Sequence, residues 1–208
     1  MAIDFGDLNK SNKIKFRLKK KGEILKNLQV KLTWDKSTYD KVEFDADLNI
    51  AILEKNGTKT ITLPDGTIVP KMKFFAESAK SLIYFDNDTS LNSEVIHGGD
   101  NREGGGEYAD IYLDKVPANV DEITLFGIIY EGSKRNQNWK DLNATMSLIN
   151  VDTDRVIAEY TLGETFSEDE AIHFGSLFRN EENDWEFLPH GIGYKELDLE
   201  GFTDFWQP

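Results

Sequence analysis

The sequence predicts an all-β chain, an antiparallel β-sandwich with a few short helices, on three observations. Apolar residues recur with a period of two over short windows. Turn signals rich in Gly, Pro, Asn and Asp separate those windows. No strand and long helix alternate along the chain, so the βαβ rhythm of a parallel sheet is excluded. At 208 residues the chain can bury one sizeable core and is short for two, so residues 1–208 are read as a single domain.

The elements follow in order. Lys13-Ile14-Lys15-Phe16-Arg17-Leu18-Lys19 alternates charged and apolar residues, the pattern of a half-buried strand. Gly22 marks a turn, and Leu28, Val30, Leu32 and Trp34 then share one face of a second strand, with the large indole as its last inward residue. From Phe44 to Ile52 the same period sends Phe44, Ala46, Leu48, Ile50 and Ile52 to one face and Asp45, Asp47 and Asn49 to the other. Glu54 to Lys71 reads as a hairpin, with turn signals at Asn56-Gly57 and Pro64-Asp65-Gly66. Met72 to Ser81 fits a short helix or an irregular crossover, and Ser81 to Phe85 a strand that runs into the polar turn Asp86-Asn87-Asp88.

Val95-Ile96 enters a glycine-rich loop, and Tyr108 to Leu113 leaves it. Ile123 to Tyr130 is nearly continuously apolar, as a central strand buried on both faces requires. Further strands are expected at Ala144 to Val151, Val156 to Leu162 and Trp185 to Leu188. Between them, Ser167-Glu168-Asp169-Glu170 looks like a helix-opening capping box, yet Ile172, Phe174 and Phe178 alternate like a strand, and both readings stay open. The aromatic tail Leu199 to Trp206 is expected to dock on the body.

Composition narrows the function classes. A formal charge of -14 argues against a general nucleic-acid binder, which needs a basic face to neutralise phosphates. The basic residues that do occur crowd the N-terminal stretch, from Lys10 to Lys31; they suit a solvated strand edge or a docking strip for an acidic partner or another copy. No apolar run approaches the roughly 20 residues of a membrane span, and the start Met1-Ala2-Ile3-Asp4-Phe5 lacks a basic and apolar leader, so a cytoplasmic location is expected. The absence of cysteine removes disulfides, thiolate metal sites and cysteine nucleophiles.

The chemistry-bearing stretch is His97-Gly98-Gly99-Asp100-Asn101-Arg102-Glu103-Gly104-Gly105-Gly106-Glu107. Its glycines let the backbone bend around something small, while Asp100, Asn101, Glu103, Glu107 and, three residues on, Asp110 offer the oxygen donors that a hard cation such as Ca²⁺ takes. Asp45, Asp47 and Asn49 place three more oxygen-bearing side chains on one side of a strand, where like charges about 7 Å apart repel unless a cation or partner offsets them. Asp45-Ala46-Asp47-Leu48-Asn49 resembles the opening of an EF-hand loop, but Ile50 stands where that loop needs glycine. A glycine-rich acidic loop is also a common solvated connector. His97, His173 and His190 have no metal-ligand spacing, no Gly-x-Ser-x-Gly or P-loop motif occurs, and His97 suits a loop-anchoring hydrogen-bond donor better than a catalyst.

Several landmarks together resemble the tellurite-resistance TerD-type stress proteins. Leu32-Thr33-Trp34-Asp35 is similar to the family's Leu-Gly-Trp-Asp, Phe44-Asp45-Ala46-Asp47 to its Phe-Asp-Leu-Asp, and His97-Gly98-Gly99-Asp100-Asn101 to its His-x-Gly-Asp-Asn. Arg135-Asn136-Gln137-Asn138-Trp139 resembles Arg-Gly-Gln-Asn-Phe, and Trp185-Glu186-Phe187 with Gly191-Ile192-Gly193-Tyr194 resembles the C-terminal Trp-x-Phe and Gly-x-Gly-Tyr. The resemblance implies a β-sandwich that binds Ca²⁺ at one end, without catalysis, in bacterial responses to tellurite, other chemical stress and phage. It places the cation ligands on Asp45, Asp47, Asp100, Asn101 and Glu107, with Asp86 or Asn87 nearby. Two departures bear on that set. The family's Gly-Asp-Asp-Glu is here Gly105-Gly106-Glu107, and its His-Asp after the central strand is here Tyr130-Glu131, so affinity should fall or one of two sites be lost.

The function expected on these grounds is a non-catalytic calcium-binding module acting through protein-protein assembly, with homo-oligomers among its assemblies. The alternative is a structural component of a larger particle, such as one encoded by a phage, with a degraded metal site.

Overall fold

The structure is a computed structural model that describes residues 16–17, 19–20, 23–35, 38–39, 42–62, 68–101 and 105–207. In chain order its strands are β1 (Phe16–Arg17), β2 (Lys19–Lys20), β3 (Glu23–Ile24), β4 (Asn27–Thr33), β5 (Thr38–Tyr39), β6 (Val42–Glu43), β7 (Ala46–Thr62), β8 (Ile68–Phe74), β9 (Leu82–Ile83), β10 (Val95–His97), β11 (Glu107–Tyr112), β12 (Glu122–Ile129), β13 (Thr145–Asn150), β14 (Arg155–Thr161), β15 (Ala171–Arg179) and β16 (Trp185–Tyr194). Short helices punctuate them: α1 (Ser78–Ser81), α2 (Gly132–Arg135), α3 (Trp139–Leu142), α4 (Leu162–Thr165) and α5 (Leu199–Asp204).

Two antiparallel sheets form the layers. The larger runs β1-β16-β15-β12-β7-β8, with β9 also pairing with β7, and the smaller runs β10-β11-β4-β13-β14. The inward rows meet as the alternation predicts: Leu28, Val30, Leu32 and Trp34 from β4 and its end face Phe44, Ala46, Leu48, Ile50 and Ile52, all within one buried cluster. β12 lies between β7 and β15, and its continuous apolar run has a simple cause. Ile123, Leu125 and Ile129 enter the cluster between the sheets, while Phe126 and Ile128 enter a second cluster on the far face.

That second cluster is closed by the C-terminal tail. Asp198 caps α5 by accepting the Gly201 N–H at 2.9 Å, and Phe202 and Trp206 pack against Phe126 with ring centroids 4.4 and 5.7 Å away. The docking expected of this segment therefore gives the large sheet a second buried face.

Three expectations change. Asn56-Gly57 does not end a strand: β7 continues to Thr62, and the pair sits at a register shift between Lys55 and Thr60, with Gly57 at a φ of 58° as a bulge requires. The hairpin tip at Pro64-Asp65-Gly66 lies outside the described residues. The capping-box reading at 167–170 loses to alternation, because Ala171–Arg179 pairs on both sides, with β12 and β16. Ser81 to Phe85 is a strand only over Leu82–Ile83, since Tyr84 already turns back to Asn87. Among the described residues no helix is long and apolar enough to cross a membrane.

Candidate functional site

The glycine loop closes one end of the sandwich, and Glu107 is its fixed point. On β11 the inward positions are Glu107, Ala109 and Ile111, so the carboxylate enters the same interior as two apolar side chains. It is 3 % exposed. Such a burial costs several kcal/mol unless the charge is hydrogen-bonded. Its Oε2 accepts the N–H of Leu48, on the opposite sheet, at 2.8 Å, and its Oε1 accepts the N–H of Asn101, in the loop, at 3.3 Å. The β7–β9 ladder stops at Ile50, and beyond it the N–H of Leu48 is taken by this carboxylate instead of by a strand. One side chain thus joins β11, β7 and the loop.

The loop is folded around that contact. Gly98 donates to Tyr108 O at 2.8 Å, Gly105 donates to Trp34 O at 3.1 Å, and the Asn101 amide donates to Gly106 O at 2.9 Å. His97, with its side chain fully buried, anchors the loop as an acceptor and not as the expected donor: its Nδ1 receives the Gly99 N–H at 3.0 Å. That leaves Nε2 to carry the ring hydrogen, 3.5 Å from Glu107 Oε2.

The residues expected to share a cation are divided by this architecture. Asn101 and Glu107 meet directly. Asp45 lies just before β7, its backbone carbonyl holding the Tyr130 N–H at 2.9 Å, and Asp100 is exposed on the loop. Asp47 alternates with Leu48, so it leaves β7 on the far face, opposite Ile128, and lines a cavity there with Asn49. Asn87 turns its amide back to Leu82 O. Glu103 lies outside the described residues. Among those described, no three His, Asp or Glu side chains are grouped to hold one metal ion.

Comparison with known proteins gives the chain a family and its fold a solved counterpart. A family model described as the TerD domain matches residues 71–205. The chain belongs to the TerD family. It is 32 % identical over 182 residues to the "Tellurium resistance protein TerD" of Serratia marcescens, covering 85 % of each chain. It is 30 % identical over 187 residues to "General stress protein 16U" of Bacillus subtilis (strain 168), covering 87 % of this chain and 88 % of that one. The same fold occurs in the crystal structure of a homologue of telluride resistance protein (TerD) from Streptomyces coelicolor A3(2), with a TM-score of 0.62 at 17 % identity, over 88 % of this chain and 99 % of that one.

For calcium, the six oxygen-bearing residues of this TerD-family chain do not fit one ion as a set. Asp47 faces away through the sheet, and both oxygens of Glu107 are engaged by backbone N–H groups. The carboxylate already joins strand to loop.

A polar network that the sequence does not announce lies on the far face of the large sheet of this TerD sandwich. Thr124 Oγ1 is 2.7 Å from His173 Nε2 and 2.7 Å from Ser176 Oγ, and Ser176 Oγ is 3.0 Å from His190 Nε2. The two imidazoles lie against each other, tilted by 36°, with centroids 4.2 Å apart. Histidines 17 residues apart in sequence have no motif spacing; the β15–β16 pairing and its register shift between His173 and Gly175 bring them together. Burial pushes the carboxyl of Glu122, beside this network, above its usual 4.5, against the lowering effect of hydrogen bonds from Ser176 and Thr124, and neighbouring Asp121 raises it further.

A raised folded-state value means that ionised Glu122 weakens the fold. No penalty arises below the usual value, where the carboxyl is protonated folded or unfolded; the penalty grows as pH rises from there through the raised value, then stays constant. Glu122→Gln keeps an acceptor for the two hydroxyls and removes the charge. It is therefore expected to raise the melting temperature at pH 7 and to match the parent near pH 4. A lower melting temperature at pH 7 would count against burial as the dominant cause.

Proposed function

We propose that this TerD-family chain is a non-catalytic module of a bacterial response to tellurite or chemical stress, working by assembling with other proteins. The observation that carries the reading is Glu107. A carboxylate that is closed to solvent and holds two backbone N–H groups across three elements is placed to fix a surface, not to exchange protons with a substrate. The names of the relatives, a tellurium resistance protein and a general stress protein, support the physiological setting.

Two assays test the reading. Purified chain incubated with tellurite and a reductant should consume no more than a stoichiometric amount, and tellurite-challenged cells protected by the chain should yield it cross-linked in a stable complex. Multiple turnover, or protection with no complex formed, would overturn the proposal.

Calcium belongs in the same experiment, because an ion shared by Asp45, Asp47 and the loop would make the same kind of tie that Glu107 makes. An ion present at about 100 times its Kd would add about 2.7 kcal/mol, or roughly 5–10 °C of melting temperature for a chain of this length. The divided donor set leads us to expect less than ~2 °C between chelator and millimolar calcium. A rise in the larger range, lost in both Asp47→Ala and Asp100→Ala, would restore the calcium module. A stable oligomer of this chain alone in chelator would instead favour the structural component of a larger particle, consistent with Gly105-Gly106 standing where the family pattern has acidic residues.

A further inference from the structure

Asn56-Gly57, which the fold places in a bulge, is also a chemically reactive pair. The side-chain amide carbon of an asparagine is open to attack by the backbone nitrogen of the next residue, and glycine allows that approach best, having no side chain in the way and the widest range of φ. No other asparagine of the chain precedes a glycine. Regular strand pairing would hold both residues still, but residues 56–59 lie between the pairs Lys55 with Met72 and Thr60 with Pro70, and no residue of β8 is in register with them. Gly57 is exposed at a φ of 58°, and nothing lies within 4 Å of its Cβ position. The Asn56 Nδ2 is buried without a hydrogen-bond partner among the described residues, so nothing ties that nitrogen down.

The surroundings allow the motion that such an attack needs. β7 is exposed from Gly57 to Thr62, and beyond the bulge its register partners among the described residues all belong to β8: Pro70, Val69 and Ile68 opposite Thr60, Ile61 and Thr62. A two-stranded ribbon is marginally stable in water, so local opening there costs little. Asn92-Ser93, also a pair with a small second residue, is held instead. Its Asn92 N–H donates to Glu94 Oε2 at 2.8 Å, and the Ser93 N–H, the nitrogen that would attack, donates to Ser90 O at 3.0 Å.

We propose that Asn56 is a site of spontaneous deamidation in the folded protein, and that the product loosens the ribbon beyond it. The Gly57 nitrogen bonds to Asn56 Cγ, the bond from Cγ to Nδ2 breaks, and ammonia leaves carrying the hydrogen that the Gly57 nitrogen gives up. A five-membered succinimide remains. Water then opens the ring at either carbonyl, so that one water is consumed for each ammonia released. Opening at Cγ gives aspartate, and opening at the backbone carbonyl gives isoaspartate, which routes the main chain through the side chain and lengthens it by one carbon. A strand's pairing tolerates no such slip, so the pairs from Thr60 with Pro70 to Thr62 with Ile68 lose their alignment.

Peptide mapping by mass spectrometry tests it on the full chain, incubated folded in neutral buffer and, in parallel, unfolded in guanidinium chloride. Trypsin cuts after Lys55 and Lys59, so Asn56-Gly57-Thr58-Lys59 is released alone, clear of Asp65-Gly66. Asn56 should be the first asparagine of the folded chain to deamidate, with isoaspartate among its products, at a rate within about tenfold of the unfolded chain's, because opening there costs little. Asn92 should be slowed by folding far more than Asn56. Asn56→Gln, which would have to close a six-membered ring, should release no ammonia from this site and keep the parent's melting curve. Hydrogen exchange at Ile61 and Val69 should be faster in the isoaspartate product than in the parent, with Leu48 unchanged. Protection of Asn56 by folding beyond that range, another asparagine reacting first, or unchanged exchange at Ile61 and Val69 would overturn the proposal. The readout uses no partner, tellurite or calcium, so its failure leaves the assembly reading standing, and the reverse holds too.

Discussion

Glu107→Ala is expected to lower the free energy of unfolding by about 3 kcal/mol, a large share of a domain's net stability. The variant removes two charge-assisted hydrogen bonds and strands the N–H of Leu48 where no strand ladder reaches it. Glu107→Gln separates the charge from the shape. A glutamine has one carbonyl oxygen, so it can accept from Leu48 or from Asn101 but not from both as the carboxylate does, and its NH₂ group then faces a second donor. Its cost should be about 1–2 kcal/mol. Urea denaturation gives both values, and hydrogen exchange at Leu48 and Asn101 shows whether the loss is local. If both variants unfold within ~0.5 kcal/mol of the parent, the level of an ordinary surface change, Glu107 is not the tie described above.

Gly106→Ala should destabilise the chain comparably, by about 3 kcal/mol, through two effects that a neighbouring glycine separates. Gly106 has a φ of 122°, which L residues seldom adopt, and a Cβ there would meet the backbone of β4, at Leu32 O and at Thr33 Cα 2.8 Å away. Backbone atoms in a paired strand cannot step aside as a side chain can. Gly99 also has a positive φ, 95°, but nothing lies within 4 Å of its Cβ position, so Gly99→Ala should carry only the conformational cost of roughly 1–2 kcal/mol. Equal losses in the two variants would show that the approach to β4 is unimportant. The same contact means that Gly106→Asp cannot simply rebuild the family's acidic pattern on this loop.

Much of the fold was legible in the alternation itself. The inward rows of β4 and β7, the doubly buried β12 and the docking of the aromatic tail all follow from which positions are apolar, because a strand must send successive side chains to opposite faces. The misread places share a different cause. Asn56-Gly57 suits either a hairpin turn or a bulge, and only the partner strand, which continues past it with a shifted register, decides between them. At 167–170 the local capping signal was outweighed by the ladders that β12 and β16 offer the residues just after it.

The all-β class, the oxygen-rich character of residues 97–107 and the carboxylate at 107 were all readable from the order of residues. Composition and period encode these directly. What those residues do is set by the folded chain: Asp47 and Glu107 lie on opposite sides of a sheet, Glu107 binds backbone on two elements besides its own strand, and the rings of His173 and His190 come within 4.2 Å. The physical reason is that a strand's period fixes which face a side chain takes, whereas what it meets there depends on the register and crossing of strands far away in the chain.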